Sequence, residues 1–314
     1  MGRRRSKRTK IHVLHREPSP VQERKSTMEV TFLGTAAATA CPMVFCSCPM
    51  CSAAWKRGGK DLRRRSSALV DGDMLIDLGP DVMTAAFDFG ADIRQVRVLL
   101  QTHAHSDHFD AGHLITRWSD YAPEGLRPLD LAASPETIRR MSERLSMEEP
   151  GASLEKAEWL ERLKLRVHPL RHGDSVTLSG RLVTAVESAH DSGALLYAVS
   201  DGAAAFLYAT DTVRLTDRAM DLLKGFRLDM VAIDHTYGPG VSGGGHLNAE
   251  QAAEEIARLR SEGILKPEGL AFAAHISHEG MPPHSELTEY ARSRGYEIAW
   301  DGLRISLPPP GKPS

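Results

Sequence analysis

Three histidines and one aspartate fall within six residues in the segment Thr102–His108, which reads THAHSDH. The segment follows Val96–Leu100, whose apolar end is typical of a strand buried on both faces. Residues at the end of a buried strand lie on a loop, so their side chains are able to converge. The four side chains are those of His103, His105, Asp107 and His108. Imidazoles combined with a carboxylate suit Zn²⁺, Mn²⁺ or Fe²⁺ rather than Ca²⁺, so this segment predicts a metal site.

Strand and helix patterns alternate along the rest of the chain. Apolar runs predict strands at 29–33, 67–70, 74–77, 182–187, 195–199, 205–208, 230–233 and 270–273. The clearest helix is predicted over Glu250–Arg260, with Asn248 as its N-cap and Gly263 as its C-terminal stop. Residues 145–161 are polar, and we interpret them as a surface insertion. The mixture predicts an α/β unit in which helices cover sheets.

Three of the four cysteines lie within six residues, as Cys46, Cys48 and Cys51. The C-x-C-x-x-C spacing is close to that of zinc-binding turns, and tetrahedral zinc requires a fourth ligand. Two candidates for that ligand exist, Cys41 and His278. The crowding favours a reduced, cytoplasmic metal site over disulfides of a secreted protein.

The HxHxDH pattern of residues 103–108 resembles the signature of the metallo-β-lactamase superfamily, and further elements of that signature follow in order. The resemblance implies an αββα sandwich, that is, two mixed sheets flanked by helices. It assigns one metal to His103, His105 and His190, and a second to Asp107, His108 and His275. It also makes Asp211 the ligand that bridges both metals, and Asp77 the residue that orients a ligand histidine.

The cysteine motif narrows this resemblance to one branch, the PhnP-like phosphodiesterases. The matching pieces are Gly34-Thr35-Ala36, the three cysteines, THAHSDH and the segment AHISH that contains His275 and His278. In that branch the first histidine of the last segment serves the catalytic pair, and the second completes a structural zinc site. The resemblance therefore implies that His278 joins Cys46, Cys48 and Cys51, and it leaves Cys41 as a spare thiol.

The expected chemistry is that of a two-metal hydrolase. Two cations about 3.5–4 Å apart share a water, lower its pKa toward ~7 and stabilise charge on the attacked oxygen. The resemblance to the branch makes a small, cyclic or open phosphate diester the leading substrate, attacked by the bridging hydroxide. One alternative is a lactone or thioester hydrolase on the same metals, and another is a non-catalytic carrier protein of the PqqB type. RNA processing at a tRNA 3′ end is less favoured, because no long basic insertion is present.

Substrate contacts are predicted from the remaining histidines. His235 and His246 are the best candidates for contacting substrate or protonating a leaving alkoxide, and we assign catalysis to Asp107 and His235. The glycines of 243–245 precede a helix start and are candidates for receiving a phosphate oxygen. Arg64 and Arg65 are further candidates for anion contacts, although a solvated basic face is the simpler interpretation.

Charge is distributed unevenly along the chain. Residues 1–27 contain nine Lys/Arg and two Glu, whereas the remainder contains 30 Lys/Arg and 39 Asp/Glu. We interpret 1–27 as a disordered basic arm, 28–306 as a single hydrolase domain and 307–314 as a flexible tail, with Met28 an alternative start. The acidic body does not favour nucleic acid as a partner, and no apolar run is long enough for a membrane span. A homodimer is compatible with the resemblance, but no segment indicates an interface.

Overall fold

Two seven-stranded sheets form the computed structural model of this chain, which describes residues 27–118, 120–122 and 125–307. The strands of the first sheet are β1 (Met28–Gly34), β2 (Ser67–Val70), β3 (Met74–Ile76), β4 (Val98–Leu100), β5 (Leu129–Ala133), β6 (Leu165–Pro169) and β14 (Arg304–Leu307). Their order is β14-β1-β2-β3-β4-β5-β6. The pairs from β3 to β6 are parallel and the others antiparallel, so the sheet is mixed.

The second sheet is also mixed. Its strands are β7 (Ser175–Leu178), β8 (Arg181–Glu187), β9 (Leu195–Ser200), β10 (Ala205–Ala209), β11 (Leu228–Asp234), β12 (Leu265–Ala274) and β13 (Glu297–Ile298). They follow the order β13-β12-β11-β10-β9-β8-β7, with parallel pairing from β10 to β13. The bounds of β8 to β11 agree with the predicted strands to within two residues, and β12 begins five residues before the predicted one. The sequence patterns did not predict β5, β6, β7, β13 or β14.

Helices connect the strands. The α-helices of the described residues are α1 (Pro49–Arg57), α2 (Val82–Asp88), α3 (Ala111–Ile115), α4 (Pro135–Glu148), α5 (Ala157–Arg162), α6 (Asp217–Leu223), α7 (Ala249–Ser261) and α8 (His284–Arg292). Helix α7 begins with the predicted cap, because Asn248 and Gln251 bond each other's backbone in a capping box. None of the helices in this part of the chain has the length and apolar character that a membrane crossing requires.

Apolar side chains fill three layers. Phe32 and Val98 of the first sheet pack with Tyr197 and Phe206 of the second in a core between the sheets. On the outer faces, α2 to α5 cover the first sheet and α6 to α8 cover the second. The predicted αββα sandwich is therefore confirmed.

The polar segment 145–161 is not a surface insertion. Leu154 and Trp159, which belong to this segment, are buried and pack with Met141 and Leu145 of α4. The segment looked polar because α4 ends and α5 begins within it, so few residues of each helix face the core. Residues 1–26 of the predicted basic arm and 308–314 of the predicted tail lie outside the described residues, whereas Leu307, predicted to belong to the tail, is the last residue of β14.

Candidate metal centre

The predicted ligands come from the carboxyl ends of four strands. His103, His105, Asp107 and His108 follow β4, while His190 follows β8, Asp211 follows β10 and His275 follows β12. Parallel neighbours such as β10 to β12 end at one edge of a sheet, which places their following residues together. The structure brings all seven side chains into one cluster.

One half of the cluster consists of three imidazoles. His103 Nε2 lies 3.0 Å from His105 Nδ1, and His190 Nε2 lies 3.4 Å from the same atom. The other half consists of Asp107, His108 and His275: His108 Nε2 lies 3.4 Å from His275 Nε2 and 3.2 Å from Asp107 Oδ2. These are the two groups that the resemblance assigned to two metals.

Asp211 stands between the halves. Its Oδ1 lies 3.5 Å from His190 Nε2, whereas its Oδ2 lies 2.7 Å from His108 Nε2 and 2.9 Å from His275 Nε2. Despite these short distances, Oδ2 is buried and forms no contact of hydrogen-bond geometry with any described residue. Nitrogens and oxygens that crowd together without bonding one another are arranged like ligands around a common cation. The cluster therefore fits a metal pair with Asp211 as the bridge.

The outward nitrogen of each ring supports the same conclusion. Each imidazole directs one nitrogen into the cluster and the other toward a protein oxygen, as metal-bound histidines do. The pairs are His103 Nδ1–Thr102 Oγ1 (3.0 Å), His105 Nε2–Asp191 Oδ2 (3.4 Å), His108 Nδ1–Asp77 Oδ2 (2.7 Å), His190 Nδ1–Gly245 O (3.0 Å) and His275 Nδ1–Thr236 Oγ1 (2.9 Å).

Asp77 lies where the resemblance placed it. It is fully buried beside His108 and also accepts hydrogen bonds from the backbone and the hydroxyl of Thr102 at 2.8 Å. Burial disfavours protonation of His108, but Asp211, Asp107 and Asp77 outweigh it and hold its pKa well above the usual value. Negative charge is thus concentrated where cations would bind.

Three residues of the site have left-handed backbones, which are costly for residues other than glycine. The φ angles are 63° at Asp77, 52° at Asp211 and 60° at His275. Each of these residues directly follows a strand or comes within two residues of its end, and the left-handed turn breaks the strand's alternation of side chains. The turn redirects the side chain toward the cluster.

The cysteine motif forms a second, separate site. Sγ atoms of Cys46, Cys48 and Cys51 lie 3.6, 3.4 and 3.4 Å from His278 Nδ1. Tetrahedral zinc, with about 2.3 Å to sulfur and 2.0–2.1 Å to nitrogen, separates such ligands by about 3.5 Å. A backbone hydrogen bond from Cys51 and the contact with His278 lower the pKa of Cys48 to about 6, which favours the thiolate. The donor set fits zinc, and Cys41 is not among these four residues.

Residues 73–269 match the profile of the beta-lactamase superfamily domain. The chain belongs to the beta-lactamase superfamily. Membership confirms the predicted class, a metal-dependent hydrolase, and with it divalent metal binding.

Solved structures share the superfamily fold over most of their length. A diphosphatase from the PhnP family is 24% identical, with a TM-score of 0.67 and coverage of 89% of this chain and 97% of that one. Zinc-bound PqqB from Methylobacterium extorquens is 20% identical, with a TM-score of 0.67 and coverage of 88% and 99%.

A curated relative matches over a shorter stretch. Ribonuclease Z from Mycolicibacterium gilvum (strain PYR-GCK) is 46% identical over 66 residues, which are 20% of this chain and 23% of that protein. The match thus spans less than a quarter of the relative's length.

His246 lies beside the cluster, and it is held by Asp234, a residue that was not predicted to belong to the site. Asp234 is fully buried, and its Oδ2 accepts a hydrogen bond from His246 Nδ1 at 3.0 Å. Its Oδ1 accepts a bond from Thr236 Oγ1, which in turn contacts His275. The His246 ring stacks on His275 at 5.2 Å and lies 4.6 Å from the ring of His190.

His235 does not face the cluster, contrary to its predicted role. It is fully buried, its Nε2 lies 3.1 Å from the hydroxyl of Tyr296, and burial lowers its pKa to about 4. The cause is strand alternation: on β11 Ala232 faces the core between the sheets, whereas Ile233 faces the helices. His235 continues the second face, and Asp234 continues the first.

Both arginines that were predicted to contact an anion already have protein partners, as does Gly245 among the glycines. Arg64 is paired with Asp88, and Arg65 with Asp81 at 3.0 Å, so neither guanidinium is an unpaired anion site. Gly245 directs its carbonyl to His190 and thereby orients a ligand. Phosphate binding by the glycines at 243–245 stays a prediction.

Proposed function

We propose that this chain is a phosphodiesterase that hydrolyses a small phosphate diester at a two-metal centre. The observation that carries the proposal is the position of Asp211, whose two oxygens face the two groups of ligands. The seven ligands would hold both ions. When bound, such a pair lowers the pKa of a shared water and stabilises negative charge on the attacked group.

His246 is suited to protonate the leaving alkoxide. Its Nδ1 is held by Asp234, while its Nε2 has no hydrogen-bond partner among the described residues and the side chain is partly exposed. A carboxylate on one ring nitrogen fixes the orientation of the imidazole and stabilises its protonated form. We therefore transfer the acid role expected of His235 to His246, with Asp234 as its support.

A polar rim favours a charged substrate over an apolar ester. Ser106 is exposed within the ligand-bearing segment 103–108, and His105 presents an exposed ring edge. The resemblance of the cysteine and histidine motifs to the PhnP-like branch supports the same substrate class.

We further propose that Cys46, Cys48, Cys51 and His278 hold a structural zinc. His278 lies three residues after His275, so a zinc there would tie the ligand-bearing segment to the loop after β1. This site would stabilise the catalytic ligands without contacting substrate.

The test compares a simple aromatic phosphodiester with a lactone and a thioester, using metal-reconstituted protein and the Asp211→Ala variant. Cleavage of the diester that depends on Asp211 supports the proposal. Cleavage of only the carbonyl substrates would favour the alternative hydrolase on the same metals. Failure of all three substrates, with full metal content, would favour a carrier role.

A ribonuclease Z-like activity is the second candidate, because 66 residues match that enzyme at 46% identity. The chemistry would again be phosphodiester cleavage, but on a tRNA precursor. Incubation of the same protein with a precursor carrying a 3′ trailer separates the candidates, since a small-diester enzyme leaves the trailer intact.

A further inference from the structure

His105 is the cluster histidine with the least protein around it. Its side chain is 46% exposed, whereas those of His103 and His108 are 2% and 0% exposed. Core packing therefore does not fix the His105 ring, and its orientation depends on contacts at its outer edge. Asp191 provides such a contact, with Oδ2 3.4 Å from His105 Nε2.

Helix α4 holds this carboxylate in place. Arg140 pairs through its Nη1 with Asp191 Oδ2, and its Nε donates to Glu136 Oε1 at 3.0 Å, one turn earlier on the helix. The other oxygen of Asp191 accepts the Ser192 backbone N–H at 2.7 Å. Both carboxylate oxygens are thus fixed, one of them by a side chain that is itself fixed.

The loop 188–194, which also carries His190, is seated on the same helix. Gly193 has φ 77°, and a Cβ at this position would lie 2.6 Å from Cβ of Glu136. Thr137 Oγ1 donates to the Gly193 carbonyl at 3.4 Å. Such an approach requires glycine, so the loop is in direct contact with the first turn of α4.

We propose that Arg140 is a positioning residue for the metal held by His103, His105 and His190, acting through Asp191. The proposal rests on the proposed function, since it presupposes the metal pair. The other metal would be supported instead by Asp77 and Thr236, which lie outside α4. Loss of Arg140 should therefore weaken one half of the centre and spare the other.

Arg139 provides a matched control. It precedes Arg140 on the same helix and also pairs with Glu136, but its second partner is Glu143 rather than Asp191. We would titrate metal-free Arg140→Ala and Arg139→Ala proteins with Zn²⁺ against a chromophoric chelator. The zinc equivalent of the cysteine site is common to all variants.

In Arg140→Ala, one cluster equivalent is expected to bind about 10–100-fold more weakly, as for other outer contacts of metal ligands. The second equivalent should keep its affinity, Arg139→Ala should match the parent, and Arg140→Lys should recover part of the loss. Asp191→Asn should reproduce the selective weakening, and Arg140→Gln, which removes the charge but keeps a long polar side chain, decides the matter if Arg140→Ala does not fold.

Two failures are distinguishable. If the parent protein does not bind two equivalents besides the cysteine zinc, the proposed metal pair is wrong. If the parent binds both but Arg140→Ala titrates like Arg139→Ala, or loses both equivalents equally, the positioning role is overturned.

Discussion

Asp211 Oδ2 lies 2.7 Å from His108 Nε2 yet forms no hydrogen bond with it or with any other described residue. Both residues are buried, so leaving Oδ2 without a partner would be costly unless a further group satisfied it. A cation held by both residues would supply that partner. The same carboxylate faces His190 with its other oxygen, which makes it the residue on which both halves of the centre depend.

Replacement of Asp211 by alanine should reduce hydrolysis to background. The two proposed metals would lose a shared ligand, so metal content should fall as well. Asp110→Ala is a suitable control, because Asp110 lies just after the ligand-bearing segment 103–108 but caps α3 through the backbone of Gly112. Metal analysis and initial rates would check this, and an active Asp211→Ala enzyme would contradict the bridging role.

His246→Asn should act through the leaving group. Because His246 is placed to donate a proton, its loss should slow diesters of poorly acidic alcohols by about 10²–10⁴-fold. Diesters of nitrophenol, whose anion leaves without help, should slow far less, and metal content should not change. His168→Asn, on the edge strand β6, serves as the control. An equal loss on both substrates would indicate that His246 binds substrate rather than protonates the product.

The cysteine site should contribute to stability rather than to catalysis directly. Cys48→Ala should lose one zinc equivalent and melt several degrees lower, since about 1 kcal/mol corresponds to roughly 2–4 °C for a domain of 150–250 residues. Cys41→Ala removes a buried thiol outside the site and should keep the zinc. Calorimetry with metal analysis checks both variants; identical zinc content in the two would refute the assignment.

The metal-free protein should lose stability as the pH rises above neutral. Burial lowers the pKa of His275, but Asp211 and Asp107 outweigh it and raise the value to about 10. The folded pKa thus exceeds the ordinary value of ~6.5, so the contribution is complete below that pH and is lost as pH rises through 10.

A metal held by His275 would exclude the proton from the nitrogen that binds it. The difference in melting temperature between loaded and chelator-treated protein should therefore widen from pH 7 to pH 10. A difference that is constant or narrows over this range would contradict the charge arrangement around His275.

Most of the metal site could be predicted because its ligands lie in a short motif or directly after recognisable strands. The ligands from His103 to His108 could be predicted without knowing any contact between distant residues. The spacing of the three cysteines likewise predicted three ligands of a zinc site. The choice of His278 over Cys41 came from resemblance alone, since spacing left both open.

The prediction that His235 faces the site was wrong, and its neighbour Asp234 faces the site instead. Side chains alternate along β11, so Asp234 lies on the same face as Ala232, between the sheets. The same alternation places His235 on the opposite face with Ile233, and it would have excluded His235 from the site. The same rule would have misplaced Asp77, Asp211 and His275, because their left-handed backbones interrupt alternation. That conformation is set by tertiary contacts and carries no signal in residue type.

The most direct test of the central claim is the rate of phosphodiester hydrolysis while metal is titrated into metal-free protein whose cysteine site is already filled. If two metals act together, turnover should stay low through the first cluster equivalent, rise as the second binds, and remain at background in Asp211→Ala. Full activity at the first equivalent, or equal activity in the variant, would contradict a metal pair bridged by Asp211.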